Sequence, residues 1–376
     1  MPPPPPGRRD TRSADRGADA PLVFITRKFP PSVGGMETLA EAVWNGIRST
    51  SSDPVLIAHG GSVPATALWL PGALLTLCRR ILSGRVGTVL CGDVALYAVI
   101  GPLLRWRRVP HAVMAMGLDV TFDHPIYQRL AMPGLRRAPA VLAISEATAE
   151  AVRGAGVPAG RVEVLTLGLQ APGVDDDQID AARAELRRSL GLGPDSTVLS
   201  TVGRLVPRKG VRWFTAEVVP QLPADVHYVV AGDGPDREAI EAEVTRLGLG
   251  DRVHLLGRVS DAERDRLMRG ADVFVQPNIP VPGDMEGFGL VAIEAAMQGS
   301  LVVASRLEGL IDAVDDGVTG ELLPAGDATA WSTRLEELLA APDERRARAR
   351  RSRLACTQRS SLEAMAQQLD RTMSRC

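Results

Sequence analysis

Short runs of Val, Ile and Leu recur along this chain, separated by longer stretches whose apolar residues fall three and four apart. Such alternation is the signature of βαβ units and a largely parallel sheet. In the first half it predicts strands at Leu22–Thr26, Pro54–His59, Thr88–Cys91, His111–Met116, Ala140–Ser145 and Val162–Leu167. Helical patterns lie between them, for example Met36–Ile47 and Glu146–Arg153. Residues 170–178 are polar and turn-forming, which suits an interdomain linker. The alternation then restarts at Val198–Val202, His227–Ala231, Val253–Leu256, Val273–Gln276 and Leu301–Ala304. From about Glu344 the chain is rich in Arg and Ala and reads as helix.

The pattern therefore predicts two doubly wound α/β domains, 21–172 and 173–345, with residues 346–376 as a helix packing back on the first. Sheets of this type bind ligands beyond the carboxyl ends of their strands. Two facing crevices would form one deep cleft.

Length agrees: 376 residues are too many for one ordinary core. A net charge of −2 gives no electrostatic footprint for nucleic acid, which leaves small molecules or neutral polymers as partners. Residues 1–20 open with a proline run, contain no apolar signal-peptide core, and are expected to be disordered. Val63–Cys78 is the most apolar stretch, but Pro64 and Pro71 interrupt it short of the ~20 residues of a membrane span. The four scattered cysteines read as reduced thiols, and the expected location is cytoplasmic. Arg79, Arg80, Arg105, Arg107 and Arg108 flank apolar segments near Trp69 and Trp106, a composition compatible with peripheral contact to anionic lipid.

Of the 43 basic residues only Lys28 and Lys209 are lysines. A general arginine bias explains the surface but not the two positions that escape it, where a compact rotatable ammonium is retained. Lys209 lies in Thr201-Val-Gly-Arg-Leu-Val-Pro-Arg-Lys-Gly210, where a strand ends, Gly203 permits a turn and a helix is expected to begin near Lys209. Arg204 and Lys209 at such a junction make a diphosphate clamp, because a helix N-terminus favours anions. A second constellation is Glu286-Gly-Phe-Gly-Leu-Val-Ala-Ile-Glu294. Its Gly-x-Gly turn lets amides approach a ligand, and Glu294, on a helix with no polar stripe, needs a donor that a ribose diol would supply. In the first half, Lys28 and Gly34-Gly35-Met36-Glu37 repeat the order strand end, glycine turn, helix start.

Together these pieces resemble family 4 of the retaining glycosyltransferases, with the GT-B fold of two Rossmann-like domains. The resemblance spans nearly the whole chain. It rests on Glu286-x7-Glu294, Gly203-Arg204-x4-Lys209, Gly232-Asp-Gly-Pro235, Gly257-Arg-Val259, Gln276-Pro-Asn278 and Asp316-Gly-Val-Thr-Gly320. It implies that Arg204 and Lys209 hold the donor diphosphate and that Glu294 binds the ribose hydroxyls. The backbone near Val259 would read the base. Glu286, with the amides of Gly287, Phe288 and Gly289, would orient the transferred sugar, with Leu290 and Val291 beside them. Gly34 and Gly35 would approach the diphosphate from the other domain. One departure stands out: the family's usual first-domain histidine before a glycine is replaced by Met116-Gly-Leu-Asp119. Asp119, His124 and Lys28 are then candidate cleft residues alongside Met116.

By this resemblance the chain transfers a hexose or N-acetylhexosamine from a nucleotide diphosphate sugar, UDP favoured over GDP, to a small-molecule or lipid-linked hydroxyl with retention. No metal or other cofactor is expected. Asp175-Asp-Asp177 matches a metal-binding Asp-x-Asp formally but lies in the linker. The competing readings are a nucleotide-sugar epimerase, a catalytically altered relative that joins groups other than sugars through the same geometry, and a relative that binds donor without catalysis.

Overall fold

The computed structural model describes residues 21–32, 34–61 and 63–376, with the side chains of Val63 and Pro64 excepted. The expected disordered tail, residues 1–20, lies outside the described residues.

The first domain carries β1 (Leu22–Thr26), α1 (Gly35–Thr50), β2 (Val55–Ala58), α2 (Val63–Leu82), β3 (Thr88–Cys91), α3 (Val94–Trp106) and β4 (His111–Ala115). It continues through α4 (Leu118–Thr121), α5 (Pro125–Leu135), β5 (Val141–Ala143), α6 (Glu146–Gly154) and β6 (Val162–Val164). The second begins with α7 (Asp176–Ser189) and β7 (Thr197–Val202), then α8 (Val211–Trp213), β8 (Val226–Ala231), α9 (Arg237–Arg246), β9 (Val253–Gly257) and α10 (Asp261–Gly270). After β10 (Val273–Gln276) come α11 (Leu290–Gln298), β11 (Leu301–Ser305), α12 (Leu310–Ala313), β12 (Glu321–Leu323) and α13 (Ala328–Ala340). Two helices close the chain, α14 (Pro342–Arg359) and α15 (Leu362–Met373).

Each domain holds a six-stranded sheet, ordered β2-β1-β3-β4-β5-β6 and β12-β11-β10-β7-β8-β9, and every pairing is parallel. Strand order reverses between β1 and β3 in one sheet and between β7 and β10 in the other. At such switch points neighbouring connections leave on opposite faces and open a crevice at the carboxyl edge. Strands such as Val23–Ile25 and Val302–Ala304 are fully buried because helices cover both sheet faces, so they read as continuous apolar runs.

Three expectations need correction. The three-residue strand β12 was too short to show a period. The expected helix near Lys209 begins only at Val211: Pro207–Lys209 form a 3₁₀ turn and Gly210 intervenes with φ 66°. Gly210 is pressed on the next connection, since a methyl group there would stand 1.8 Å from the Pro277 carbonyl oxygen. The single closing helix is two. α14 stays with the second domain, where buried Arg345 pairs with Asp272 at 3.1 Å and Cys356 is buried against α11. Only α15 crosses to the first domain, packing on α1 and bonding β6 through Gln368 and Thr372. The break falls where Ser360 accepts from the Leu169 amide at 2.8 Å, so both interdomain crossings lie side by side.

Candidate active site

The loops leaving β7, β8 and β9 brace one another at the carboxyl edge of the second sheet. The amide of Gly203 donates to Ala231 (3.0 Å), that of Leu205 to Asp233 (3.0 Å) and that of Gly232 to Gly257 (2.7 Å). The Lys209 side chain lies alongside Gly203, its Cε 4.0 Å from the position of a Gly203 methyl. Lys209 Nζ donates to Glu286 Oε2 at 2.5 Å, and Asn278 Nδ2 donates to the same oxygen at 2.9 Å. Arg208 Nε stands 3.9 Å from that oxygen. Burial pushes the Glu286 carboxyl up, but Lys209, Arg208 and Asn278 outweigh it and hold the group below the usual carboxylate range. Glu286 is thus an anion fixed by three neighbours, with 7% of its surface exposed.

Arg204 is exposed and makes no ion pair among the described residues. Glu294, half-buried on α11, accepts no hydrogen bond from them either. Its pKa is raised by burial; Arg264 opposes this, while Asp265 and Asp261 add repulsion. One cation and one anion are therefore left open at the same sheet edge. Val259, Leu290 and Val291 are partly buried beside the core that underlies them. The α11 helix starts at Gly289 without a side-chain cap, and the Gly287, Phe288 and Gly289 amides find no acceptor among the described residues. Such free amides at a helix N-terminus suit an anion or sugar oxygens.

The two domains touch at this loop. A methyl group on Gly287 would stand 3.1 Å from the Met116 carbonyl oxygen and 3.2 Å from Ile144, tight enough that one of these neighbours would have to shift by a few tenths of an ångström. Asp312 Oδ2 accepts from the Glu146 amide at 2.9 Å, capping a first-domain helix from the second domain. On the first-domain side, Gly34 and the exposed Gly35 open α1, whose N-terminus also has no side-chain cap. Lys28 Nζ lies 3.5 Å from Glu37 Oε1.

The remaining first-domain candidates are placed differently from one another. The Met116 side chain is in the core, and only its carbonyl meets the second domain. Asp119 turns inward, accepting from Met116 N at 2.7 Å and Val94 N at 3.1 Å, because the Gly117 turn folds its side chain back on β4. His124 is exposed and stacks on Phe122. Burial pushes the Asp119 carboxyl up to about 7, with Asp93 adding repulsion against the amide donors and Arg27. Between its ordinary value of 3.8 and about 7 the folded chain holds the extra proton, so the stability this group contributes falls as pH rises through that window. The expected slope is at most ~1.4 kcal/mol per pH unit, and it flattens above the folded value. Melting curves of wild type and Asp119→Asn across the window should differ by that slope; parallel curves would refute it.

Asp175, Asp176 and Asp177 form the start of α7. Asp175 accepts from the Gln178 amide at 2.8 Å as N-cap, and Asp176 pairs with Arg353 at 2.7 Å and Arg350 at 3.1 Å. Sequence reasoning missed Glu308, which takes the Glu286 amide at 2.5 Å, and Asp312; neither carries a motif. Gln276, named in the Gln276-Pro-Asn278 element but given no role there, is 1% exposed with both side-chain polar atoms unpartnered.

Residues 182–354 match the family model of the glycosyl transferases group 1, and residues 13–168 match that of the glycosyl transferase 4-like domain. The chain is 30% identical over 349 residues to the GDP-mannose-dependent alpha-(1-6)-phosphatidylinositol monomannoside mannosyltransferase of Mycolicibacterium smegmatis, covering 85% of this chain and 90% of that one. It is 37% identical over 186 residues to the D-inositol 3-phosphate glycosyltransferase of Segniliparus rotundus, a match spanning 48% of this chain and only 40% of the relative. Among solved structures, Anabaena HepE in complex with UDP superposes with a TM-score of 0.76 at 20% identity, covering 95% of this chain and 100% of HepE.

Proposed function

The chain belongs to the family 4 glycosyltransferases with the GT-B fold, and from that premise we propose that it transfers a hexose from a nucleoside diphosphate sugar to an acceptor hydroxyl, with retention and without a metal. The observation that carries this reading is the pair of open charges, Arg204 and Glu294, on either side of the Lys209–Glu286 ion pair in sequence and on one sheet edge in space. Arg204 and Lys209 bind the diphosphate, and Glu294 accepts both ribose hydroxyls. The free amides of Gly287, Phe288 and Gly289 take sugar oxygens while Glu286 orients the ring. Gly34 and Gly35 approach the diphosphate from the first domain, and Val259 lies beside the base.

In the transfer step the acceptor oxygen bonds the anomeric carbon on the face from which the diphosphate leaves. The carbon–oxygen bond to phosphate breaks, and the hydroxyl proton passes to the departing phosphate oxygen. The protein orients the partners and stabilises negative charge on the leaving group. Supporting the absence of a protein nucleophile, the carboxylates at the first-domain sheet edge are turned inward: Asp119 accepts from two amides, and Asp93, fully buried, accepts from Arg27 and the Leu96 amide at 2.9 Å each through Oδ1, with its Oδ2 enclosed and unpartnered. Supporting the absence of a metal, Asp175, the first carboxylate of the formal Asp-x-Asp pair, is committed to capping α7.

Donor and acceptor classes are tested together. UDP- and GDP-hexoses are the first donors to screen by thermal shift, HepE having been solved with UDP and the Mycolicibacterium relative being named for GDP-mannose. Polyol-bearing acceptors come first, because both curated relatives are named for inositol-containing ones. Mass spectrometry should then show acceptor gaining one hexose, with the donor's anomeric configuration by NMR and a rate unchanged by chelator. An isomerised donor without acceptor would instead identify an epimerase. Binding with neither transfer nor donor hydrolysis would identify a non-catalytic relative.

A further inference from the structure

Residues 54–118 contain six arginines, Arg79, Arg80, Arg85, Arg105, Arg107 and Arg108, and a single acid, Asp93, which is fully buried. In a chain of net charge −2, this stretch thus presents only positive charge to solvent. The fold gathers it on one side. The inner faces of α2, α3 and α5 share one core with β1, β3 and β4, through Leu77, Ile100, Leu135, Val23, Val89 and Val113. These helices therefore form one outer layer over one face of the first sheet. Because β3 and β4 are neighbours, the turns feeding them lie side by side. Arg85 precedes β3, and Arg107 and Arg108 precede β4, so the arginines of both turns collect at the sheet edge opposite the cleft.

The same layer exposes large apolar side chains. Along α2, Leu68 is 86% exposed, Leu75 50% and Leu82 68%; on α3, Trp106 is 76% exposed. At 1.5 Å per residue the α2 stripe runs roughly 21 Å, from the cleft side to the arginine end. Contrary to the interruption expected at Pro71, α2 continues through that residue, and Ala65–Leu82 is long and apolar enough to cross a membrane by composition. The buried Ala73 and Leu77, however, pin it to the sheet. A helix held flat, with leucines outward and arginines at its end, has the character of an interfacial element.

We propose that the α2–α3 face docks on an anionic lipid bilayer, the leucines and Trp106 entering the headgroup boundary and the arginines pairing with lipid phosphates. This surface lies outside the donor site, so docking stands or falls independently of the transferase chemistry. Charge alone would also suit nucleic acid, but a row of exposed leucines offers bases nothing to stack on and suits acyl chains.

The test is flotation of the full chain with vesicles of phosphatidylcholine alone or mixed equally with phosphatidylglycerol. The chain should float with the mixed vesicles, stay behind with phosphatidylcholine, and be partly released by high salt. The triple variant Arg79→Glu, Arg85→Glu, Arg107→Glu should lower partitioning on the order of 100-fold, from roughly fivefold per arginine near an anionic surface. The variant Leu68→Ser, Leu75→Ser, Trp106→Ser should lose the salt-resistant fraction. All positions are exposed, and an unchanged melting temperature verifies each fold. No flotation of wild type, equal flotation on both vesicles, or flotation unaffected by either variant overturns the proposal. So does retention on RNA that the leucine variant leaves intact while vesicles fail to bind.

Discussion

Lys209→Ala is expected to lower turnover by roughly 100- to 1000-fold, the loss typical of removing one preorganised donor from a developing negative charge. Its effect on stability separates two roles. In the free protein the ammonium sits 2.5 Å from Glu286 Oε2, and both side chains are nearly buried. Stranding a buried partner costs about 3–5 kcal/mol at the upper end. Here Asn278 at 2.9 Å and Arg208 at 3.9 Å remain, so the melting temperature should fall by less than that range implies. Adding Glu286→Gln removes the stranded charge and should recover most of the stability. Turnover should stay low and fall below that of Glu286→Gln alone, which keeps Lys209, because no cation replaces Lys209 against the diphosphate. Recovery of turnover with stability in the double variant, measured by melts and steady-state transfer, would reduce Lys209 to a structural partner.

Glu294→Gln should move stability and binding in opposite directions. The carboxylate is half-buried, repelled by Asp265 and Asp261, and receives no hydrogen bond; Arg264 is already shared with Asp261 and Asp265 at 3.0 Å each. Because its folded pKa is raised, ionisation costs the folded state, and this cost is full above that pKa. The neutral glutamine removes it, so the variant should melt at or above wild type at neutral pH. Nucleoside diphosphate affinity should fall about 10- to 100-fold, since charge-assisted bonds to the ribose hydroxyls contribute ~1.5–3 kcal/mol. A strained, open group that is unfavourable until ligand arrives is the usual form of a stability–function trade-off. Calorimetry with UDP and GDP, beside melting curves, decides it: unchanged affinity or a marked loss of stability would remove Glu294 from the ribose.

Much of this was legible from local pattern. β1, β3 and β10 appear within the bounds that their β-branched and aliphatic runs predict, because strands buried on both faces must be apolar throughout. Spacing likewise placed Gly203, Arg204, Lys209, Glu286 and Glu294 on connections that leave strand ends or on the helix that follows. Chemistry confined to a strand–loop–helix junction is local, and the sequence carries it.

What the sequence could not decide is what each charged group faces once the chain has folded. Asp119 looked like a cleft residue and is instead folded back onto the Met116 and Val94 amides. Arg204 and Arg208 are four residues apart in one loop, yet only Arg208 is drawn toward Glu286. The Asp312 cap on Glu146 joins residues 166 positions apart, and no periodicity encodes such a pair. The chain by itself determined the two sheets and the loops that carry the candidate site, because burial and backbone conformation act over a few neighbours. Only the tertiary structure determined which charges are neutralised and which stay open, because desolvation and Coulomb forces depend on distances that close when the two domains meet.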